Sequence, residues 1–447
     1  MTSGSNGRAA ALLFLVVLLV YNLNGREIAT LDSQPTKFAA RELIQRGTIT
    51  LNHVVGTTPQ LLERAPFVAG ADGNYRSAYS PTPVLLAAGL LVPFYSLGIF
   101  DVRAPLAAPL IAKLAASTIT AAAVVVMFLT ARHWTSRSRA LWIAAGTAIG
   151  TGYWNTVSQT LWQHETAALG LTLALWAFAR PATVANWRQA VILGIGLALA
   201  GTSRPQVSIS IAVLLVGLFL CARLRLALLA AAIVGVSAAT LVLMNVRWFG
   251  HPFGAIPLLE ALHPAVHATE GSFRLALAGP VGLLVSPNRG LLIFSPIVLI
   301  AFAALPFALR SGLRSAVWWC AAAAMGQYLF YSAYSVWWGG HTFGPRYMLD
   351  LLPLLAPVGA VWVDSMHPTA ATRLVAAVAL AWSVLVAATG AFCYPHERWN
   401  TDPNDVDRNH ERLWDWRDMQ IVRCWERGLN PTNFRLVDRH AVRTTAP

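Results

Sequence analysis

The sequence predicts an all-α polytopic membrane protein of about 11 transmembrane helices, with interfacial helices in its first outer loop. Three observations predict it. The chain is 56% apolar and 12% charged, with a mean hydropathy of +0.54, where a soluble domain carries about 25% charged residues. Uncharged apolar runs recur that are long enough to cross a hydrocarbon core about 30 Å thick. The polar connectors between those runs fall into two classes that alternate along the chain.

Taken in order, the first run, Ala9 to Leu23, follows Arg8. No small-x-small cleavage site precedes a polar start, so it reads as a signal anchor and not as a cleaved leader. The spans are expected at about 8–24, 105–130, 140–155, 162–179, 189–203, 206–222, 226–247, 290–309, 315–336, 347–364 and 373–392. One connector class is short and rich in arginine: 131–139, 180–188, 221–225, 309–314 and 364–373. The other holds the long or motif-rich loops: 24–81, 152–161, 203–206, 248–289, 337–346 and the chain after Phe392. The positive-inside rule puts the arginine loops in the cytoplasm and the motif loops outside. The N-terminus is then expected inside and the C-terminus outside, in a plasma membrane.

Thr82 to Phe100 is apolar enough to span, yet it breaks that alternation and carries Pro83, Pro93, Gly89 and Gly98. It reads as an interfacial or re-entrant helix packed on the bundle, with an ordinary further span as the alternative. The organisation expected is a bundle over 1–392, including a first outer loop at 24–83, and an outer-face tail over 393–447. Cys393 and Cys424 would share an oxidising space and could pair. Cys221 and Cys320 fall in or beside spans and read as packing residues.

The formal charge of +13 is almost wholly arginine, with lysine only at Lys37 and Lys113. Such a balance suits membrane orientation and anionic ligands. No nucleic-acid motif, fixed-period repeat, Gly-rich phosphate loop or zinc-type spacing occurs, and His164-Glu165 lacks the second histidine of a metalloprotease helix.

Five polar clusters then stand out in the motif loops. Asp32, Gln34, Lys37, Arg41 and Glu42 open the first loop, where TKFAARELIQRG reads as a short amphipathic helix lying in the interface. Pro35 suits its first turn and Ser33 its cap. Asp32 could equally be a cap, and the basic face could simply meet lipid phosphates. Asp72, Asn74, Tyr75, Arg76 and Tyr79 follow, as a groove wall or an aromatic belt. Gln163, His164 and Glu165 enter a span, and Arg204 sits at a helix break; ionisable residues at such depth are costly and usually functional. Arg289 in SPNRG is placed to present a guanidinium to phosphate. WWGGHTFGPRYMLDLLP adds flat tryptophan faces, His341, Arg346, Tyr347 and Asp350. Arg346 and Asp350 would form a buried i,i+4 pair or position a phosphate.

On these residues the chain resembles the GT-C superfamily of polytopic glycosyltransferases, relatives of protein mannosyltransferases and aminoarabinose transferases. The likeness rests on Asp32 in the first outer loop, the helix after it, SPTPVLLAA and GPRYMLDLLP, and covers about residues 8–364. It implies a membrane enzyme that moves a hexosyl or pentosyl group from a polyprenyl-phosphate sugar to a glycan, lipid or protein acceptor. Asp32 matches the family's first-loop acid, which deprotonates or orients the acceptor. Some members have paired acids there, whereas this chain reads Asp32-Ser33-Gln34; that favours metal-independent chemistry and leaves a divalent cation open. The expected substrate-binding set is Lys37, Arg41, Tyr75, Arg76, Tyr79, His164, Glu165, Arg204, Arg289, His341, Arg346, Tyr347 and Asp350. A transporter of lipid-linked sugars and an inactive relative are the alternatives. A transporter would be expected to show repeated halves and polar groups at the bilayer midplane, where this chain shows polar motifs on one side.

Overall fold

A computed structural model describes residues 3–438 apart from 64, 181–185, 222, 259–272, 274–275 and 367–368. Part of the expected loop at 248–289, and parts of the connectors at 180–188, 221–225 and 364–373, therefore lie outside the described residues. The protein is mostly helical. Its elements run α1 Ser3–Asn22, α2 Ser33–Arg46, α3 Asn52–Thr57, β1 Phe67–Ala69, β2 Tyr75–Ser77, α4 Thr82–Ser96, α5 Ala107–Ala131, α6 Arg137–Ile149, α7 His164–Phe178, α8 Trp187–Ser203, α9 Ser208–Leu220 and α10 Leu224–Phe249. Then come α11 Ala278–Val285, α12 Leu291–Phe294, α13 Leu299–Arg310, α14 Ala316–Ala333, α15 Leu352–Ser365, α16 Ala370–Cys393 and α17 Gln420–Arg427.

Four described stretches are helical, long and apolar enough to cross a bilayer: 107–131, 224–249, 346–365 and 370–393. Shorter apolar helices cover 6–22, 82–96, 205–220 and 296–310. The expected run at 140–155 stops at Ile149 and passes into a buried π turn at Tyr153–Val157. The run at 290–309 breaks at Ser295-Pro296, because proline cannot donate to the preceding turn. Apolar composition thus outruns helix length. At 15 residues, α4 spans about 22 Å, short of a full hydrocarbon core. It buries Val84, Ala87, Ala88 and Leu91 in a cluster shared with α2 and α5 and exposes Leu85, Val92 and Phe94.

The tightest helix pair is α7 against α8. A Cβ on Gly170 would lie 2.6 Å from the Gly196 carbonyl oxygen and the Ala200 nitrogen, so only glycine permits this backbone approach. The main core joins α1, α5 to α9 and α13 to α15. α10 and α16 show apolar side chains outward, among them Leu228, Val236, Leu243, Leu374 and Val378, as lipid-facing helices do.

Among the described residues, the two connector classes gather at separate ends of the bundle. At one end Asp364 takes hydrogen bonds from Thr135 at 3.1 Å and Arg139 at 3.0 Å, and Arg223 donates to the Phe178 carbonyl. At the other, the long loops meet one another and the tail. Cys393 and Cys424 form a disulfide with Cα atoms 5.7 Å apart. Beyond it the tail folds back, with the Phe434 and Leu436 amides donating to the Asn24 and Gly25 carbonyls at 2.8 Å. Arg26 answers by donating to the Ala391 and Tyr394 carbonyls.

Candidate active site

The loop end gathers Asp32 and Arg346, residues 314 apart in sequence, into an ion pair at 3.1 Å. Asp32 occupies the cap position of α2, yet its side chain makes no capping bond. Ser33, expected to cap, instead exchanges hydrogen bonds with Thr30. The Asp32 carboxylate is therefore free to turn into the loop end, where it stays partly exposed. The Arg346 guanidinium lies over the Trp162 ring at 4.8 Å and the Tyr347 ring at 5.3 Å. Its Nε is buried with no partner among the described residues, and Tyr79 lies within its electrostatic reach.

Arg346 and Asp350 do not pair with each other, contrary to the helical spacing expected. Arg346–Leu351 is a 3₁₀ helix. At three residues per turn, side chains four apart point about 120° away from one another. Asp350 turns inward and accepts from His164 Nδ1 at 2.9 Å, Arg204 Nε at 2.6 Å and the Tyr331 hydroxyl. The Arg204 guanidinium also lies over the rings of Tyr331 and Tyr347. These two rings stack at 4.9 Å with 6° between their planes, so Tyr347 is shared by the Arg204 and Arg346 cations. Arg204 Nη2 and His164 Nε2 are, like Arg346 Nε, buried without a partner among the described residues. The two arginine N–H groups are donors, costly to leave unpaired in an apolar interior, and an anionic ligand would satisfy them. His164 Nε2, with Nδ1 donating to Asp350, is an acceptor in the neutral ring.

Other expected residues lie in different settings. The basic side of α2 does not lie on lipid: Lys37 is buried and pairs with Glu27 at 2.8 Å, which also accepts from Thr160, while Arg41 pairs with the buried Glu42 at 3.0 Å. An unpaired buried cation is expensive, so these acids accompany the helix inside. Arg76 makes two bonds to Asp72, at 2.7 and 2.6 Å, holding that carboxyl well below its usual range, and stacks on Trp248. Tyr75 pairs with Ala69 in the β1–β2 hairpin. Glu165 accepts from the Trp162 amide at 3.0 Å at the start of α7. Arg289, expected to face a phosphate, is fully buried. Its five N–H groups go to Trp338, Gly340 and Asn288 carbonyls, Gln420 Oε1 and Asn400 Oδ1. That uses a guanidinium's whole donor set, and burial lowers it to about 10. It joins the 337–346 loop to the tail. His341 meets Asp405 and Asp407 of the tail.

Two aromatic residues of the site have weak sequence signals, and a lysine outside it has a strong one. Tyr331 and Trp162 look like ordinary aromatic residues of apolar runs. Lys113, one of two lysines in the chain, was conspicuous within an apolar span; it donates to Asn24 and Gln159, which bond each other, fixing the start of the first loop against α5. A small crevice at Trp162 is lined by Ile28, Thr30, Asn155, Thr156, Thr342 and Tyr394. Its hydroxyls, amide and aromatic faces are polar and planar together. Two groups of three possible metal ligands occur among the described residues: Cys393, Glu397 and Cys424, whose thiols are already joined, and His341, Asp405 and Asp407. Neither includes Asp32, whose side chain faces a guanidinium.

No protein-family model matches the chain, and no curated protein does. Among solved structures it is similar to the archaeal oligosaccharyltransferase AglB from Archaeoglobus fulgidus, in complex with an inhibitory peptide and a dolichol-phosphate. The TM-score is 0.51 at 13% identity, over 92% of this chain and 60% of that one. The chain thus spans about 60% of the length of the protein it matches. AglB is a GT-C enzyme, and the likeness, at this identity, is one of fold alone.

Proposed function

We propose that the protein is a membrane glycosyltransferase that moves a sugar from a polyprenyl-phosphate donor to an acceptor at the outer face of a bacterial plasma membrane. The observation that carries this reading is the pairing of the partly exposed Asp32 carboxylate with Arg346, which shares the Tyr347 ring with Arg204, each arginine keeping an N–H group unpaired among the described residues. The dolichol-phosphate named with AglB is a lipid phosphate of the same chemical class, which supports a donor of that kind.

In this mechanism the donor phosphate takes the place of the Asp32 carboxylate on Arg346. Anion exchange on one guanidinium both seats the donor and frees the base. Asp32 then removes the proton of an acceptor hydroxyl as its oxygen bonds to the anomeric carbon. The bond from that carbon to the phosphate oxygen breaks, and its electron pair leaves on the phosphate. Arg346, with Arg204 behind the Tyr347 ring, neutralises the charge that grows there. A single displacement inverts the anomeric centre. His164, Tyr331 and Asp350 hold Arg204, and Trp162 offers a flat face. The Asp32-Ser33-Gln34 sequence, without a second acid, favours base chemistry independent of a metal and leaves a divalent cation open.

The test is incubation of the purified protein with a panel of prenyl-phosphate sugars and measurement of donor-dependent prenyl-phosphate release. Asp32→Asn, with folding checked by its melting curve, is expected to lower the rate by about 100-fold or more. A transporter would consume no donor, and an Asp32→Asn protein with undiminished release would remove Asp32 from the mechanism.

A further inference from the structure

We propose that His341, Asp405 and Asp407 form a binding site for one divalent transition cation, of the zinc or manganese class, that ties the tail to the 337–346 loop. This site is separate from Asp32 and does not rest on the transferase reading.

Three ligand atoms from two distant segments face one another. His341 Nε2 lies 3.1 Å from Asp405 Oδ1 and 3.4 Å from Asp407 Oδ2, and all three ligand atoms lie within 4.8 Å. Ligands about 2.0–2.1 Å from a tetrahedral zinc lie about 3.3 Å apart, close to both spacings. One Nε2–H cannot serve two carboxylates equally, whereas a cation can accept a lone pair from all three groups. An imidazole with two carboxylates suits zinc or manganese better than a soft, thiolate-seeking ion.

The groups behind the ligands are set as a metal site needs them. The other oxygen of Asp407, Oδ1, accepts from Trp338 Nε1 at 2.7 Å, leaving Oδ2 directed at His341. The Asp407 amide donates to Asp405 Oδ1 at 2.9 Å, which fixes the relation of the two acids. Between them Val406 is fully buried, and its amide donates to the Asn400 carbonyl. On the opposite segment the Gly340 carbonyl accepts from buried Arg289, and that guanidinium also holds Asn400. Both ligand-bearing backbones are thus fixed through one side chain. The ligands themselves are 35%, 41% and 26% exposed, which gives an ion an entry path and leaves room for water. The chain from His341 leads directly to Arg346, so an ion here would also steady the segment that carries it.

The experiment uses the full chain, purified in detergent, stripped with EDTA and dialysed against zinc chloride or manganese chloride. Metal content and melting temperature are measured. The expected result is one ion per chain at low micromolar metal, with a raised melting temperature, for at least one of the two metals. The Asp405→Asn/Asp407→Asn double variant should lose both effects, and His341→Gln should bind at least tenfold more weakly. Glu411→Gln, an acid of the same tail outside the cluster, should keep both. If the double variant fails to fold, His341→Gln alone decides. Absence of stoichiometric binding by the wild type for both metals would overturn the proposal, as would undiminished binding in His341→Gln. Neither readout requires catalysis, so failure here leaves the transferase reading intact, and failure of transfer leaves this site intact.

Discussion

At the scale of the residue, Asp350 shows how membrane depth constrains partners. Its carboxylate is buried among His164, Arg204 and Tyr331. Replacing it with asparagine leaves the Arg204 charge in an apolar setting without its counter-ion. Breaking one side of a buried pair costs about 3–5 kcal/mol, and removing both sides costs less. Asp350→Asn should therefore lower the melting temperature in detergent clearly, and Arg204→Met/Asp350→Leu should lower it less than the single change. Equal losses would mean that the pair is not coupled. The residue types of this network were legible in the sequence because ionisable groups are rare in so apolar a chain. Their partnerships were not. The 3₁₀ turn at 346–351 gives Arg346 to Asp32 and Asp350 to Arg204, and nothing in GPRYMLDLLP distinguishes that turn from an α-helix.

At the scale of the element, α2 and the tail depart most from what their sequences suggest. The basic row of α2 implied a helix on lipid, but Glu27 and Glu42 take its cations inside. Glu27 lies outside the helix, so a periodicity argument confined to α2 could not include it. The tail reads as polar and aromatic, yet Trp399 and Glu397 are fully buried in it. Burial pushes the Glu397 carboxyl up to about 7, against opposing help from the Gln420 amide, Arg289 and Arg26. A carboxyl raised on folding favours the fold while it is protonated. Its contribution is full below about 4.5 and is lost as pH rises through about 7. The span corresponds to roughly 3 kcal/mol as an upper bound. Glu397→Gln keeps an acceptor for Gln420 and cannot ionise. Wild type should lose melting temperature relative to Glu397→Gln between pH 5 and pH 8, and a difference independent of pH would refute the assignment.

At the scale of the whole molecule, the alternation of connector classes was the most legible feature, because arginine counts and loop lengths need no knowledge of packing. Among the described residues the two classes gather at separate ends, joined by Asp364 with Thr135 and Arg139 at one and by Asp32 with Arg346 at the other. Helix length was less legible, since Gly150 and Pro296 interrupt apolar runs that composition alone would carry through. Arginine-rich loops are retained on the cytoplasmic side, so the Asp32 end should face outward. Cysteine labelling tests this directly. In a Cys221→Ser background, the disulfide-bonded Cys393 and Cys424 are unreactive and Cys320 is buried. Thr58→Cys lies in the exposed first loop, and Ser138→Cys in an exposed arginine loop. A membrane-impermeant maleimide added to right-side-out vesicles should label Thr58→Cys and spare Ser138→Cys, and inverted vesicles should reverse the pattern. The opposite pattern would put the Asp32 end in the cytoplasm and require a donor presented from that side. Labelling of both positions from one side would contradict the two-ended bundle itself.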